Sequence, residues 1–317
     1  MQVHRNIDQL PLFRNAIVTI GTFDGVHMGH RQIIDNLKTE ARKNNGETVI
    51  ITFHPHPRKV VSSTILGIRL INTLDEKIEL LEQAGIDHLV VVPFTDAFAN
   101  QPAEDYIKNF LIGKFHPHTI IIGYDHRFGK ERKGDYLLLE KMADESNYIL
   151  KEIPKHVLEE IAISSTKIRE ALLEGRIEIA DRLLGYDFFF TGTVIHGDKL
   201  GRKLGYPTAN LKIEDEEKIT PGNGIYAVYA EVGSPGPEIR NSNHLHLKGM
   251  MSIGFRPTVD GKSRVIEVNI FDFDSEIYGR QLKVFVKKYL REEIKFDSLD
   301  GLIKQIDKDK IESLKVL

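Results

Sequence analysis

The first half of the chain alternates short apolar runs with helical spacing. Residues 16–20 form one apolar run, a glycine-bearing turn follows, and residues 31–41 then place Ile33, Ile34, Leu37 and Ala41 on one helical face. The same rhythm returns in apolar runs at 48–53, 89–92 and 119–122 and in helical patterns at 74–84, 103–111 and 136–142. Strands alternating with helices predict a parallel sheet, and so an α/β fold class for this half. Thr73 and Glu76 have the spacing of a capping box, and Gly85, Gly175 and Gly185 stand where helices would close. Two further helices, at 166–174 and 177–184, are expected to end a first domain over 1–184.

After Gly185 the rhythm becomes β-rich. Runs at 188–195, 225–232, 250–253, 265–271 and 282–289 are separated by glycine, proline and asparagine clusters. This predicts a small antiparallel barrel over 185–317. Only the last segment returns to helical spacing, with Leu299, Leu302, Ile303 and Ile306 on one face behind an Asp297 or Ser298 cap. That C-terminal helix is expected to pack across the barrel, and residues 233–247 are expected to form an exposed hairpin loop.

Composition narrows the function classes. A length of 317 residues fits about two domains. With 41% hydrophobic and 28% charged residues, the chain belongs with folded, water-soluble proteins rather than disordered ones. The absence of cysteine excludes disulfides, thiolate catalysis and cysteine-ligated metal. A net charge of −3 offers polyanions no global attraction, and no apolar run is long enough for a bilayer. The reading is a cytoplasmic protein, monomeric or weakly homo-oligomeric, with neither nucleic acid nor membrane as partner.

The densest chemistry lies in Gly21-Thr22-Phe23-Asp24-Gly25-Val26-His27-Met28-Gly29-His30, between the first strand and its helix. Its glycines let backbone approach a ligand, and the helix start offers free N–H groups and a positive dipole end to an anion. His27 and His30 lie three apart, where both can donate to phosphate oxygens, although one histidine capping the helix is an equal reading. A second anion signal is Ile163-Ser164-Ser165-Thr166-Lys167-Ile168-Arg169, which puts hydroxyls and then cations at another helix start. Lys167 and Arg169 oppose that helix dipole unless an anion compensates them. A triphosphate held between the two helix openings is the working expectation.

Two rivals use the same residues. His27 with His30, and the pairs His116/His118 and His244/His246 among the 13 histidines, raise zinc, although no H-E-x-x-H occurs. H-x-G-H with a serine-rich second motif also resembles class I aminoacyl-tRNA synthetases, against which the acidic balance argues.

H-x-G-H paired with I-S-S-T-x-I-R resembles the HxGH nucleotidyltransferases, and GTFDGVHMGH with ITFHPHP is similar to bacterial FAD synthetases. Further on, Gly201-Arg202-Lys203-Leu204-Gly205-Tyr206-Pro207-Thr208-Ala209-Asn210 resembles the riboflavin kinase signature. Gly254-Phe255-Arg256-Pro257-Thr258, Glu267, Tyr278-Gly279 and the Leu290–Phe296 segment are similar to later kinase motifs. The resemblance implies a Rossmann-like nucleotidyltransferase domain before the barrel kinase domain. It also implies ATP as co-substrate at both sites, Mg²⁺, and riboflavin, FMN and FAD as substrates and products.

Residue roles follow from the resemblance. Thr208 and Asn210 would ligate Mg²⁺, Glu267 would accept the hydroxyl proton of riboflavin, and Gly197, Lys203 and Gly205 would form a basic lid over phosphates. Arg291 is similar to the family's flavin-side arginine. In the first half, His27, His30, Ser165, Thr166 and Arg169 would stabilise the reacting phosphorus, with Gly21, Thr22, Phe23, Asp24 and Gly29 around the nucleotide. His54 and Pro55, with Asp125 and Arg127, would meet the flavin. The chain departs from the family pattern at His126, where an aromatic residue is usual, and at Ser252, where asparagine often precedes Ile-Gly and whose change is expected to loosen a turn.

Overall fold

Ile17, Val18, Thr19 and Ile20 are all buried. A short run buried on both faces needs a neighbouring strand on each edge and cover above and below, which is the position of a central parallel strand. The structure, a computed structural model, describes residues 1–61, 69–123, 126–153, 165–197, 200–233, 246–258 and 261–317. Contacts within the chain divide it into two units, Met1–Ser165 and Thr166–Leu317.

In the first unit the strands are β1 (Gln2–His4), β2 (Ile17–Ile20), β3 (Thr48–His54), β4 (His88–Pro93), β5 (Thr119–Gly123) and β6 (Ile149–Ile153). They form one sheet in the order β1-β4-β3-β2-β5-β6, with every pairing parallel. The α/β expectation stands, and the order reverses where β2 lies between β3 and β5. Helices α1 (Met28–Lys43), α2 (Leu74–Gln83) and α3 (Tyr136–Ser146) connect strands. The core joins Val18, Ile20, Val49, Ile51, Ile120 and Ile122 to Phe110 and Phe115. Those phenylalanines belong to a helical stretch whose middle, Tyr106–Ile112, is wound as a π-helix.

Local punctuation behaves as its chemistry requires. Thr73 and Glu76 cap α2 reciprocally, and Gly85 follows it with φ +75°. The sequence pattern does not mark strands β1 and β6, because both are sheet edges. In β6 only Ile153 is fully buried, and Lys151 and Glu152 interrupt the apolar run.

The second unit carries α4 (Ser165–Leu173, from Thr166) and α5 (Ile177–Leu184), which pack with the barrel. Gly222 N donates to Leu172 O at 3.0 Å. The barrel strands are β7 (Phe189–Ile195), β8 (Ala209–Lys212), β9 (Gly224–Val232), β10 (Leu247–Thr258), β11 (Gly261–Ile270) and β12 (Gln281–Arg291). They close in the order β10-β11-β8-β7-β12-β9, all antiparallel, as the sequence predicts.

Two expectations change. Ser252 loosens no turn, because it sits mid-strand in β10, paired with Glu267 on one side and Ile225 on the other. The last helix, α6 (Leu299–Val316), is capped by Ser298 and packs on β9, β10 and β12. Leu299 is nonetheless 61% exposed, and the buried positions of α6 are the polar Asp309 and Ser313. Most of the expected hairpin loop (234–245) lies outside the described residues, as do Asp125, Ser164 and His244.

Candidate active sites

The first candidate site is the turn from Gly21 to His27, which leaves β2 at the order reversal of the sheet. Open α/β sheets bind ligands in the crevice at this point. Phe23, Gly25 and Val26 all have positive φ, at 48°, 91° and 37°. Strain of this kind persists only where surrounding structure holds it. The holding groups are visible. The buried Asp24 carboxylate accepts from Ile71 N at 2.9 Å and Asn72 N at 3.3 Å, and the Thr22 carbonyl accepts from Lys77 Nζ at 2.7 Å and Thr52 Oγ1 at 3.1 Å. A side chain at Gly21 would press on the Phe23 ring, its Cβ only 3.1 Å from the ring edge.

Of the histidine pair, His27 ends this turn and His30 lies in the first turn of α1. His27 Nδ1 caps α1 by accepting from His30 N at 3.4 Å, and the two rings stack with centroids 3.8 Å apart. The helix-capping reading is therefore correct for His27, and it leaves the ring at the helix mouth. Burial first, then the charges of His27 and Lys77, push the His30 pKa well below the usual histidine value. His30 is thus a neutral imidazole at pH 7, and its Nδ1 is buried with no hydrogen-bond partner among the described residues. Gly29 lies against the His27 ring. From the second motif, Ser165 Oγ donates to Asp24 O at 3.1 Å, which ties that motif's start to the turn. Thr166 and Arg169 fall on the second unit, Thr166 exposed and Arg169 half-buried in the first turns of α4.

His54 is exposed at the end of β3, and Pro55 is half-buried beside it. The neighbouring Phe53 rings against Phe94 and Phe98 at 5.3 and 5.7 Å. Arg127 pairs with Asp135, the cap of α3, at 2.6 Å. His126, in the usual aromatic position, tilts toward Phe128 at 5.8 Å, and Phe128 stacks on Tyr106 at 4.9 Å.

The second candidate site is a cleft of the barrel. Glu267 on β11 is in register with Asn210 on β8. One Glu267 oxygen, Oε1, accepts from Thr208 Oγ1 at 3.2 Å, and the other pairs with Arg256. Glu267 therefore does not simply face solvent. Two residues on, Asn269 Nδ2 donates to Pro207 O at 2.6 Å and holds the start of the Pro207-Thr208-Ala209-Asn210 (P-T-A-N) segment, whose last two residues begin β8. Gly197 packs against the Asn210 amide, where any side chain would collide, and Gly205 has φ +80° with open space around it. The Lys203 side chain lies outside the described residues. Thr208 and Asn210 present hydroxyl and amide oxygens beside the Glu267 carboxylate, hard donors of the kind Mg²⁺ takes. Among the described residues no group of three or more His, Cys, Asp or Glu side chains could hold a metal ion.

Arg291 lines the same cleft with its guanidinium committed to α6. Asp309 takes it through two bonds, at 2.8 and 2.6 Å, and Gln305 adds a third bond to Asp309 at 2.8 Å. Tyr206 reaches the same helix through Asp307, and that hydrogen bond heads the causes that push its pKa up to about 12. Burial raises the pKa of Glu293, whose carboxylate lies on Gly254. Asp309→Asn should therefore loosen Arg291. We expect a stability loss of about 1–3 kcal/mol by urea denaturation and a slower reaction at this cleft.

Sequence reasoning missed Lys77, Asn269 and Asp309. Asn269 stands two positions after Glu267 in one strand, so the two-residue period alone places both on one face, a usable signal. Nothing local marks the other two, because their partners are distant in the chain.

The chain matches the family model for FAD synthetase over residues 11–167 and that for riboflavin kinase over residues 184–317. Its relatives include proteins named bifunctional riboflavin kinase/FMN adenylyltransferase. The one from Buchnera aphidicola is 39% identical over 98% of this chain and 96% of its own length. The one from Escherichia coli is 35% identical over 96% and 94%. A solved structure titled macrolide-efflux protein, from Streptococcus pneumoniae, matches with TM-score 0.84 and 29% identity over 98% of both chains. No described helix of the present chain is long and apolar enough to cross a membrane. With both family models in this order and this identity over nearly the full length, the chain belongs to the bifunctional riboflavin kinase/FMN adenylyltransferase family.

Proposed function

We propose that the two activities divide functionally at 184/185, with residues 1–184 carrying FMN adenylylation and 185–317 carrying the kinase. The protein phosphorylates riboflavin with ATP to give FMN, and adenylylates FMN to FAD with release of pyrophosphate. In the kinase reaction, Glu267 would take the proton of the ribityl 5′-hydroxyl as its oxygen attacks the γ-phosphorus and ADP leaves. Thr208 and Asn210 would hold Mg²⁺, which offsets the charge of the ATP phosphates when bound. Gly197, Lys203 and Gly205 would border those phosphates, and Arg291 the flavin.

In the second reaction an FMN phosphate oxygen attacks the α-phosphorus and pyrophosphate leaves. His27 and His30 would donate to the phosphate oxygens, assisted by Ser165, Thr166 and Arg169. Gly21, Thr22, Phe23, Asp24 and Gly29 would shape the nucleotide seat, with His54, Pro55, Asp125 and Arg127 toward the flavin. We also propose cytoplasmic residence, a monomer or weak homo-oligomer, and neither nucleic-acid nor membrane partners.

The observation that carries the residue assignment is Glu267 in register with Asn210 and bonded to Thr208. The test is incubation with riboflavin, ATP and Mg²⁺ followed by chromatography. FMN should appear first and FAD after it. Asn210→Ala should stop the first product without stopping FAD formation from added FMN, and undiminished FMN formation by that variant would remove the assignment.

A further inference from the structure

Lys77 is the buried cation beneath the histidine turn. It sits in the first turn of α2, with only 7% of its surface exposed. Its ammonium donates to the Thr22 carbonyl at 2.7 Å and lies 3.5 Å from Thr52 Oγ1, which itself donates to that carbonyl. A single backbone oxygen at the entry to the strained turn thus receives two side-chain donors. Facing the ammonium are Asp24 from the turn, His30 from α1, Thr52 from β3, and His54 and His56, which line the same small pocket past the end of β3.

A buried ammonium is costly to keep, and a methionine of similar length would fill the space without that cost. Its presence makes sense where the charge and its directed N–H bond do something an apolar group cannot. We propose that Lys77 is a positioning residue for adenylyl transfer. It pins the Gly21–His27 turn through Thr22 and keeps a positive charge behind the histidine pair, so that the turn's donors stay aimed. The inference rests on the reading of this turn as the adenylylation site. Burial also pushes the Lys77 pKa down to about 8, against the opposing pull of Asp24. The charge is therefore lost at a pH where other lysines keep theirs.

The test uses the full-length enzyme and follows both reactions in one preparation, so the kinase reaction reports global folding. Lys77→Met should lower kcat for FAD formation from FMN by about tenfold to a hundredfold, the scale of a small misplacement of reacting groups, with FMN formation unchanged. Lys77→Arg, which keeps the charge, should recover part of the loss. The wild type should lose FAD-forming kcat as pH rises through about 8, and Lys77→Met should lack that limb. A Lys77→Met enzyme with wild-type kcat, or a Lys77→Arg enzyme as slow as Lys77→Met, overturns the proposal, as does an alkaline limb that survives in Lys77→Met. His30→Ala run in parallel separates the two readings. If His30→Ala and Lys77→Met both leave FAD formation intact, the site assignment itself has failed; if only Lys77→Met does so, only this inference has.

Discussion

Glu267→Gln is expected to lower kcat for FMN formation by about 10²- to 10⁴-fold, while FAD formation from supplied FMN continues at the wild-type rate. The substitution keeps the shape of the side chain and removes its capacity to take a proton. The carboxylate is held at both oxygens, by Thr208 at one and Arg256 at the other, so its position relative to the P-T-A-N segment does not depend on substrate. Register does the rest, since β11 sets Glu267 opposite Asn210 on β8 and opposite Ser252 on β10. Glutamine can still accept from Thr208, so the barrel should stay folded, which circular dichroism checks. A variant that makes FMN at the normal rate would assign the proton to another group.

The second large effect is on the other reaction. His30→Ala should slow FAD formation by about 10²- to 10³-fold, the cost of losing one donor to developing charge, with FMN formation from riboflavin unaffected. Because burial keeps His30 neutral, it offers a single N–H rather than a positive charge, and its lowered pKa places no titration of this ring near pH 6.5. FAD formation should accordingly show no His30-dependent limb between pH 6 and 7, so wild type and a His30→Gln variant should share the same profile shape there. His27 differs in role, since its Nδ1 caps α1. His27→Asn can keep that cap and His27→Ala cannot, so a smaller loss of FAD formation in His27→Asn would separate capping from phosphate contact.

The internal design of the enzyme helps each of these measurements. Every substitution in one site has the other reaction as its folding control, because the two candidate sites are built on separate sets of strands. The same holds for Asp309→Asn, where FAD formation from FMN is the reference.

Much of both sites was legible before folding. The glycine and histidine spacing of the 21–30 segment, the capping box at Thr73 and the alternation around Glu267 are local signals. They depend on the φ freedom of glycine, the reach of a side chain to a nearby N–H, and the two-residue period of a strand. Such signals act within a few residues, so the order of elements, the α/β and barrel classes and the chemistry-bearing motifs could all be read from the chain.

What folding added was the set of partners that fix those motifs in place. Lys77 meets Thr22 across 55 positions, Thr208 meets Glu267 across 59, and Arg291 meets Asp309 across 18. The edge strands β1 and β6 and the buried polar face of α6 belong to the same group. No local pattern encodes a contact of that span, because burial and pairing at such distances are decided by how sheets and helices pack, and a lysine or aspartate reads as a surface residue until its counterpart has been brought to it.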